Sequence, residues 1–442
     1  MKRCFLNNEK RIMTMDKINI NQMKHKLEKA GLYPLKKQAE TSVHVLEERL
    51  NKLLPIAMNE AGVDCWIVLS REYCEDPVFR SLVAWDMPNA RRMNALIFLK
   101  EGKDRLRRFG IGGLSPASQP FYEQVSFEYG SEFKALVDLL VKYRPKRIAV
   151  NRSGNLAMAD GLTSWLDDAL CEYFPSDLKQ SLCSAEDVVV GYMQRVTDLE
   201  QELIRTIVDV THNIINMAFC KKAIVPGKTT TTDLEWLMRD AIADMEAFFW
   251  FGPDIDLQRR GSDVSRMFNE IIEKGDLLHC DVGFRPALLY LHSDVQRLCY
   301  VLKDGEKEAP EGIEQVLRTG NRFQDIVMSF IMEDRSGNDV FLRSIQQAKN
   351  ENIVPMLYTH PLGTYGHGAG PVFGQYGQQE IIPGRGEYKI RNNTCYALEL
   401  NILTPVPEWE DQPVFAYLEE DIFFRDGVAG YLSGRQTELL LA

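Results

Sequence analysis

The spacing of apolar residues along the chain changes twice, and those changes divide it. Up to about residue 60 the period is helical, with Leu46, Leu50, Leu53 and Leu54 on one face. Three apolar runs of strand length follow: Cys65–Leu69, Ala95–Leu99 and Lys146–Val150, the last running into turn residues at Asn151–Gly154. Helical stretches fall between them, Glu132–Tyr143 most clearly. Strand and helix alternating in this way predict an α/β domain with a parallel or mixed sheet over residues 1–195. Its first 40 or so residues read as a helical or tail-like extension. Near residue 195 the pattern shifts. Thr197-Asp198-Leu199-Glu200 reads as a capping box, and Ile204, Ile207, Val208, Ile214 and Ile215 continue as a long amphipathic helix. Beyond the Val225-Pro226-Gly227 turn, Thr232-Asp233-Leu234-Glu235 reads as a second box, opening a helix with Trp236, Leu237 and Ile242. From Phe248 onward, strand-like runs broken by Gly and Pro dominate. Residues 196–442 are therefore predicted to form an α+β domain.

Composition narrows the partners more than the fold. The net charge is −11, which argues against nucleic acid or an anionic membrane surface as the main partner. The basic run Lys103–Arg108 reads as a solvated face. No stretch reaches the ~18 consecutive apolar residues of a membrane helix. Met1–Arg11 is polar and lacks the apolar centre of a secretory signal, and Met13 or Met15 serves equally well as initiator. Nine cysteines, without a C-x-x-C pair, predict neither a disulfide framework nor a thiolate zinc site. The expected setting is a reducing cytoplasm.

The chemistry lies in acids placed where aliphatic residues are expected. Asp281, Asp294, Glu399 and Glu419 each sit in or beside an apolar strand-like run of the second domain. A buried carboxylate is costly, so four of them call for cations or paired donors. A Gly-rich loop adds His360 and His367, seven residues apart. Carboxylates with one imidazole suit Mn, Co, Fe or Zn, and this many acids can bridge two ions.

In order, Asp, Asp, His, Glu, Glu resembles the dinuclear metallopeptidases of the pita-bread fold: methionine aminopeptidase, aminopeptidase P and prolidase, with creatinase a relative. The resemblance covers the second domain, and the first is similar in kind to the N-terminal domain of aminopeptidase P, prolidase and creatinase. It implies that Asp281, Asp294, His360, Glu399 and Glu419 hold two divalent ions. Asp294 and Glu419 would bridge them, Asp281 would serve one ion, and His360 and Glu399 the other. It also implies that His367 steadies the tetrahedral intermediate and that Arg297 is a structural partner of the acids. Two ions about 3.5–4 Å apart lower the pKa of a shared water. Glu399 would relay its proton as general base. A free substrate α-amine would bind beside them. The implied enzyme is a cytoplasmic exopeptidase, Xaa-Pro aminopeptidase- or dipeptidase-like, acting on short peptides as a homodimer. Two alternatives are creatinase-like hydrolysis of a small non-peptide C–N bond and a silent peptide- or protein-binding module.

Three departures from that family bear on specificity. Asp281 and Asp294 are 13 residues apart, two more than is usual there, so the Pro286–Leu289 hairpin carries an insertion. The family's substrate-side histidine upstream of the first aspartate is missing. Residues 254–266 offer Arg259, Arg260 and Asp263 instead. Tyr417 stands where Xaa-Pro-selective relatives have an arginine two before the last glutamate. His279 and His292 each precede a ligand aspartate by two, so regular strands would turn both to the metal face. On that condition one of them, His292 ahead of His279, would give the leaving amine its proton. The alternative is packing beside a ligand carboxylate or a hydrogen bond to it. Phe248-Phe249-Trp250-Phe251 reads first as core packing and second as pocket lining.

Overall fold

The structure, a computed structural model, describes residues 19–102 and 105–442. Met1–Arg11, Met13, Met15, Lys103 and Asp104 lie outside them. The described chain forms two compact units: Ala39–Leu199, and Glu200–Ala442 joined by the described residues before Ala39.

The unit Ala39–Leu199 is built on a six-stranded sheet. In chain order the strands are β1 (Cys65–Arg71), β2 (Met93–Lys100), β3 (Leu106–Ile111), β4 (Glu123–Gln124), β5 (Ile148–Val150) and β6 (Leu182–Ser184), arranged β4-β3-β2-β1-β5-β6. β1 pairs antiparallel with β2 and parallel with β5, so the sheet is mixed. The apolar runs seen in the sequence are its buried centre. Helices α1 (Glu132–Tyr143) and α2 (Ser164–Tyr173) supply Leu136, Leu140, Leu166 and Leu170 to one core with Ile67, Ile97 and Ile148. Arg107, in the run expected to face solvent, pairs with Glu123 and caps Phe109.

The second unit opens with α3 (Asp198–Ala218) and α4 (Thr231–Asp244). The capping box of α4 lies two residues upstream of the expected one. Thr230 Oγ1 accepts from Asp233 N and Asp233 Oδ2 accepts from Thr230 N. An aspartate at the third helical position closes the box as a glutamate would. The strands are β7 (Ala247–Phe249), β8 (Asp254–Gln258), β9 (Met267–Phe268), β10 (Leu277–Val282), β11 (Phe284–Pro286), β12 (Val295–Tyr300), β13 (Val354–Leu357), β14 (His360–Gly363), β15 (Gly366–His367), β16 (Thr394–Val406), β17 (Gln412–Arg425), β18 (Val428–Tyr431) and β19 (Leu440–Leu441). Eleven of them form one sheet along β15-β14-β16-β17-β12-β10-β8-β9, while β7 and β11 pair separately. Its frame is the long β16–β17 hairpin, paired from Thr394–Phe424 to Val406–Gln412. Helices α5 (Glu311–Phe330) and α6 (Gly337–Asn350) cover one face, and Ile313, Leu317, Phe323 and Phe341 pack there against Leu398, Leu400, Ala416 and Leu418. Alternation along β16 and β17 then turns Glu399 and Glu419 away from that core. Among the described residues no helix is long and apolar enough to cross a membrane.

Candidate metal centre

Strand register sets the acids in a row. Glu399 of β16 stands opposite Glu419 of β17, Glu419 opposite Gln296 of β12, Gln296 opposite Asp281 of β10, and Asp281 opposite Asp254 of β8. Directly opposed residues share a face of the sheet, with Cβ atoms about 4.5–5.5 Å apart. One line across five strands therefore carries four carboxylates and an amide.

Asp294 and His360 complete the group from one side. Asp294 directly precedes β12, where its N–H donates to Asp421 Oδ2 at 2.9 Å. His360 opens β14, opposite Ala397 of β16. Its Nε2 lies 3.5 Å from Asp294 Oδ2, 3.6 Å from Glu419 Oε1 and 3.9 Å from Glu399 Oε2. Its Nδ1 is 3.0 Å from the carbonyl of Pro361. A proton placed on Nδ1 satisfies that carbonyl and leaves the Nε2 lone pair facing the acids, which is the ligand tautomer. One potential ligand atom from each of Asp294, His360 and Glu419 lies within 4.8 Å of the others, and the same holds for Asp281, Glu399 and Glu419. All five sequence-predicted ligands thus converge, and Glu419 belongs to both triads.

This arrangement fits cations. Like charges directly opposed on neighbouring strands destabilise a sheet. Buried Asp281 Oδ1, His360 Nε2 and Glu419 Oε1 have no hydrogen-bond partner, at a cost of about 1–3 kcal/mol each. A divalent ion in each triad would meet all three. Without it, burial first and the neighbouring acids second push Asp281 and Glu419 well above the usual carboxylate range. Burial likewise raises Glu399 to about 7.

A pH dependence follows. A carboxyl whose folded pKa lies above its unfolded value stabilises the fold at low pH, and that contribution is lost as pH rises through the folded value. For Glu399 the window runs from 4.5 to about 7. The metal-free protein is thus expected to lose thermal stability across that window. Bound cations replace the protons, so the gain in Tm from excess Mn2+ should widen as pH rises. Scanning calorimetry at several pH values checks this, and a gain that stays flat or shrinks counts against the assignment.

Around the triads lie groups of several kinds. Gln296 Nε2 donates to Glu399 Oε1 at 2.7 Å and to Glu419 Oε2 at 3.0 Å. His279 does face this side, but Asp256 and Gln296 take both of its ring nitrogens. The alternation that would carry His292 to the metal face is not kept. Residues 287–294 are irregular and β12 begins only at Val295. The buried His292 ring packs edge-on to Trp250, with centroids 6.1 Å apart. Trp250 also lies 5.2 Å from the ring of His367, which in turn is 4.4 Å from that of His360. Of the aromatic run, Phe248 and Phe249 are exposed rather than in the core, and Trp250 alone reaches these histidines. Arg297 donates to both oxygens of Glu420, the neighbour of Glu419.

The arginines sort themselves by partner. Arg259 is paired with Asp276 and Arg260 with Glu410. Arg266, passed over in the sequence, stands 5.1 Å above the Tyr417 ring and attracts Asp281 and Glu399. It is held by Asp256 at 2.6 Å and Asp254 at 3.5 Å. Arg385, which no motif marked, repels a proton on His367. Its Nε is buried without a hydrogen-bond partner, and it has no acidic partner among the described residues.

No family model matches this sequence, and no curated protein matches it. Solved structures do. The X-Pro aminopeptidase from Thermotoga maritima MSB8 superposes with a TM-score of 0.64 at 12% identity, over 88% of this chain and 100% of that one. The Xaa-Pro dipeptidase from Bacillus anthracis gives 0.61 at 14% identity, over 90% and 100%. The prolidase from Pyrococcus horikoshii OT3 gives 0.58 at 13%, over 89% and 99%. The chain has the fold of these proteins, a creatinase-type N-terminal domain followed by a pita-bread domain.

Proposed function

We propose that this chain is a two-metal exopeptidase that cleaves the N-terminal bond of short peptides. The observation that carries this reading is the pair of triads sharing Glu419. Four carboxylates balance the charge of two divalent ions, leaving His360 neutral as a ligand. When bound, such ions supply Lewis acidity for a carbonyl and an acidified water. Glu399, the more accessible of the two central glutamates, is the residue that would take up the proton of the attacking water. His367, exposed at the end of β15, donates to the oxygen on which charge develops. Arg385, lacking an acid of its own, takes the substrate's C-terminal carboxylate and so favours short peptides. No hydrogen bond among the described residues joins His292 to the five ligands, so its part is to hold Trp250 against His367 rather than to pass a proton. The native metal in this reading is Mn, Co, Zn or Fe, and the enzyme works as a homodimer in the cytoplasm.

Metal analysis of the purified protein, with a dipeptide and tripeptide panel in Mn, Co and Zn read by mass spectrometry, tests the reading. About two ions per chain and release of the first residue support it. Hydrolysis of a small C–N bond without metal favours the creatinase-like alternative. Absence of both metal and hydrolysis favours a silent binding module.

Specificity gives a further prediction. Tyr417 offers no charge, and the guanidinium above it is held by two aspartates. A site that separates substrates by apolar shape alone gains about 1–3 kcal/mol per methylene. Xaa-Pro over Xaa-Ala preference is therefore expected to stay under about a thousandfold, on ~1.4 kcal/mol per tenfold. Steady-state kcat/KM for matched dipeptides measures it, and a larger ratio refutes it.

A further inference from the structure

Beside the triads runs a line of buried side chains that the proposed reaction leaves unused. Gln296 is 2% exposed, His279 1% and Asp256 0%. The Gln296 amide nitrogen has two hydrogens and no lone pair, and it spends both on Glu399 Oε1 and Glu419 Oε2. That fixes which way the amide faces. Its oxygen is thereby turned to His279 Nε2, 3.0 Å away, and this nitrogen donates. His279 Nδ1 lies 2.9 Å from Asp256 Oδ2, and Arg266 Nε donates to the same oxygen at 2.8 Å. An amide at such depth is costly unless its polar atoms are met. Here both are met, the nitrogen by the two glutamates and the oxygen by His279.

The consequence falls on the two glutamates. With Glu399 Oε1 and Glu419 Oε2 held by one nitrogen, the other oxygens point to His360: Glu399 Oε2 lies 3.9 Å and Glu419 Oε1 3.6 Å from its Nε2. Without that shared donor, neither carboxyl group has a hydrogen bond among the described residues to hold it in that rotation.

We propose that Gln296 is a positioning residue of the metal centre, fixing the lone pairs of Glu399 and Glu419 before an ion arrives, and that His279 acts on the site through Gln296. The proposal rests on the two-metal reading. It differs from a packing role, because a packing residue would leave metal affinity alone and would not couple His279 to the acids.

Titrating metal-free protein with Mn2+ by calorimetry tests it directly. Gln296→Leu should weaken at least one of the two ions by about 10–100-fold, the usual effect of losing a group that orients a metal ligand. In the loaded enzyme kcat should fall while KM holds. Gln296→Asn, one methylene short and able to keep a single donor, should lie between Leu and wild type. His279→Leu should weaken binding less than Gln296→Leu. The double variant should match Gln296→Leu alone, because the path from His279 runs through the missing amide. If Gln296→Leu fails to fold, Gln296→Asn and His279→Leu carry the same comparison. Wild-type affinity for both ions in Gln296→Leu and Gln296→Asn would overturn the proposal. So would a His279→Leu loss that adds in full to that of Gln296→Leu. Wild-type protein that takes up no Mn2+, Co2+ or Zn2+ would instead overturn the two-metal reading on which the proposal stands.

Discussion

Asp294→Asn and Glu419→Gln are each expected to lose metal and activity together. Glu419 is 1% exposed, stands in both triads, and has one buried oxygen with no other partner. Asp294 lies 3.5 Å from the only imidazole in those triads. Taking one charge from either leaves two dications facing three carboxylates in a poorly solvated place, which should cost several kcal/mol of binding. On ~1.4 kcal/mol per tenfold, that is a loss of two to three orders of magnitude in affinity. Asp254→Asn is the control. It lies on the same row but outside both triads, and its partner is Arg266, so metal should stay. A second readout has the opposite sign. Burial disfavours the Glu419 charge when no ion is present, so metal-free Glu419→Gln should melt above metal-free wild type at neutral pH. Elemental analysis, Mn2+ calorimetry and thermal melts check these outcomes together. Full occupancy with unchanged turnover in either variant would sink the bridging assignment.

How much of this could be read from the chain depends on whether a signal is local. Strands β1, β2 and β5 and helix α1 announce themselves by period, because burial of one face is a property of a few consecutive residues. The five convergent ligands stand out for a related reason: a carboxylate in an apolar run violates the local pattern. What the sequence lacks is register. That Glu399 faces Glu419 depends on the exact register of the β16–β17 hairpin, and that Glu419 faces Gln296 on a pairing between residues more than a hundred positions apart. Gln296 broke no local rule, since a glutamine in a strand usually meets water. For His292 the sequence could not supply the parity, because the residues before β12 are irregular and not a regular strand. Arg385 lay in a loop with no period at all. Phe248 and Phe249 mislead for the opposite reason, because β7 pairs with β11 apart from the large sheet and leaves those rings uncovered.

His367→Ala is expected to lower kcat by about a hundredfold or more while both ions stay bound. The geometry separates His367 from the ligands. Its ring stands at 84° to that of His360, centroids 4.4 Å apart, yet it belongs to neither triad. It is carried there by a tight hairpin, with Leu362 opposite His367 and Gly363 opposite Gly366. Gly366 has φ +79°, and a Cβ there would meet the Trp250 ring at 2.4 Å. A side chain at 366 would therefore push the hairpin off the indole that backs His367. Gly366→Ala should thus lower kcat in the same direction as His367→Ala, with the imidazole still present. A donor to a developing oxyanion acts in the transition state more than in the bound substrate, so KM should change little in either variant. Steady-state kinetics beside elemental analysis decides the matter. If His367→Ala keeps kcat within a few-fold of wild type, the oxyanion is held elsewhere, and the unpaired guanidinium of Arg385 becomes the group to test. If instead His367→Ala sheds metal, His367 is part of the ligand set and the division between ligands and donor must be redrawn.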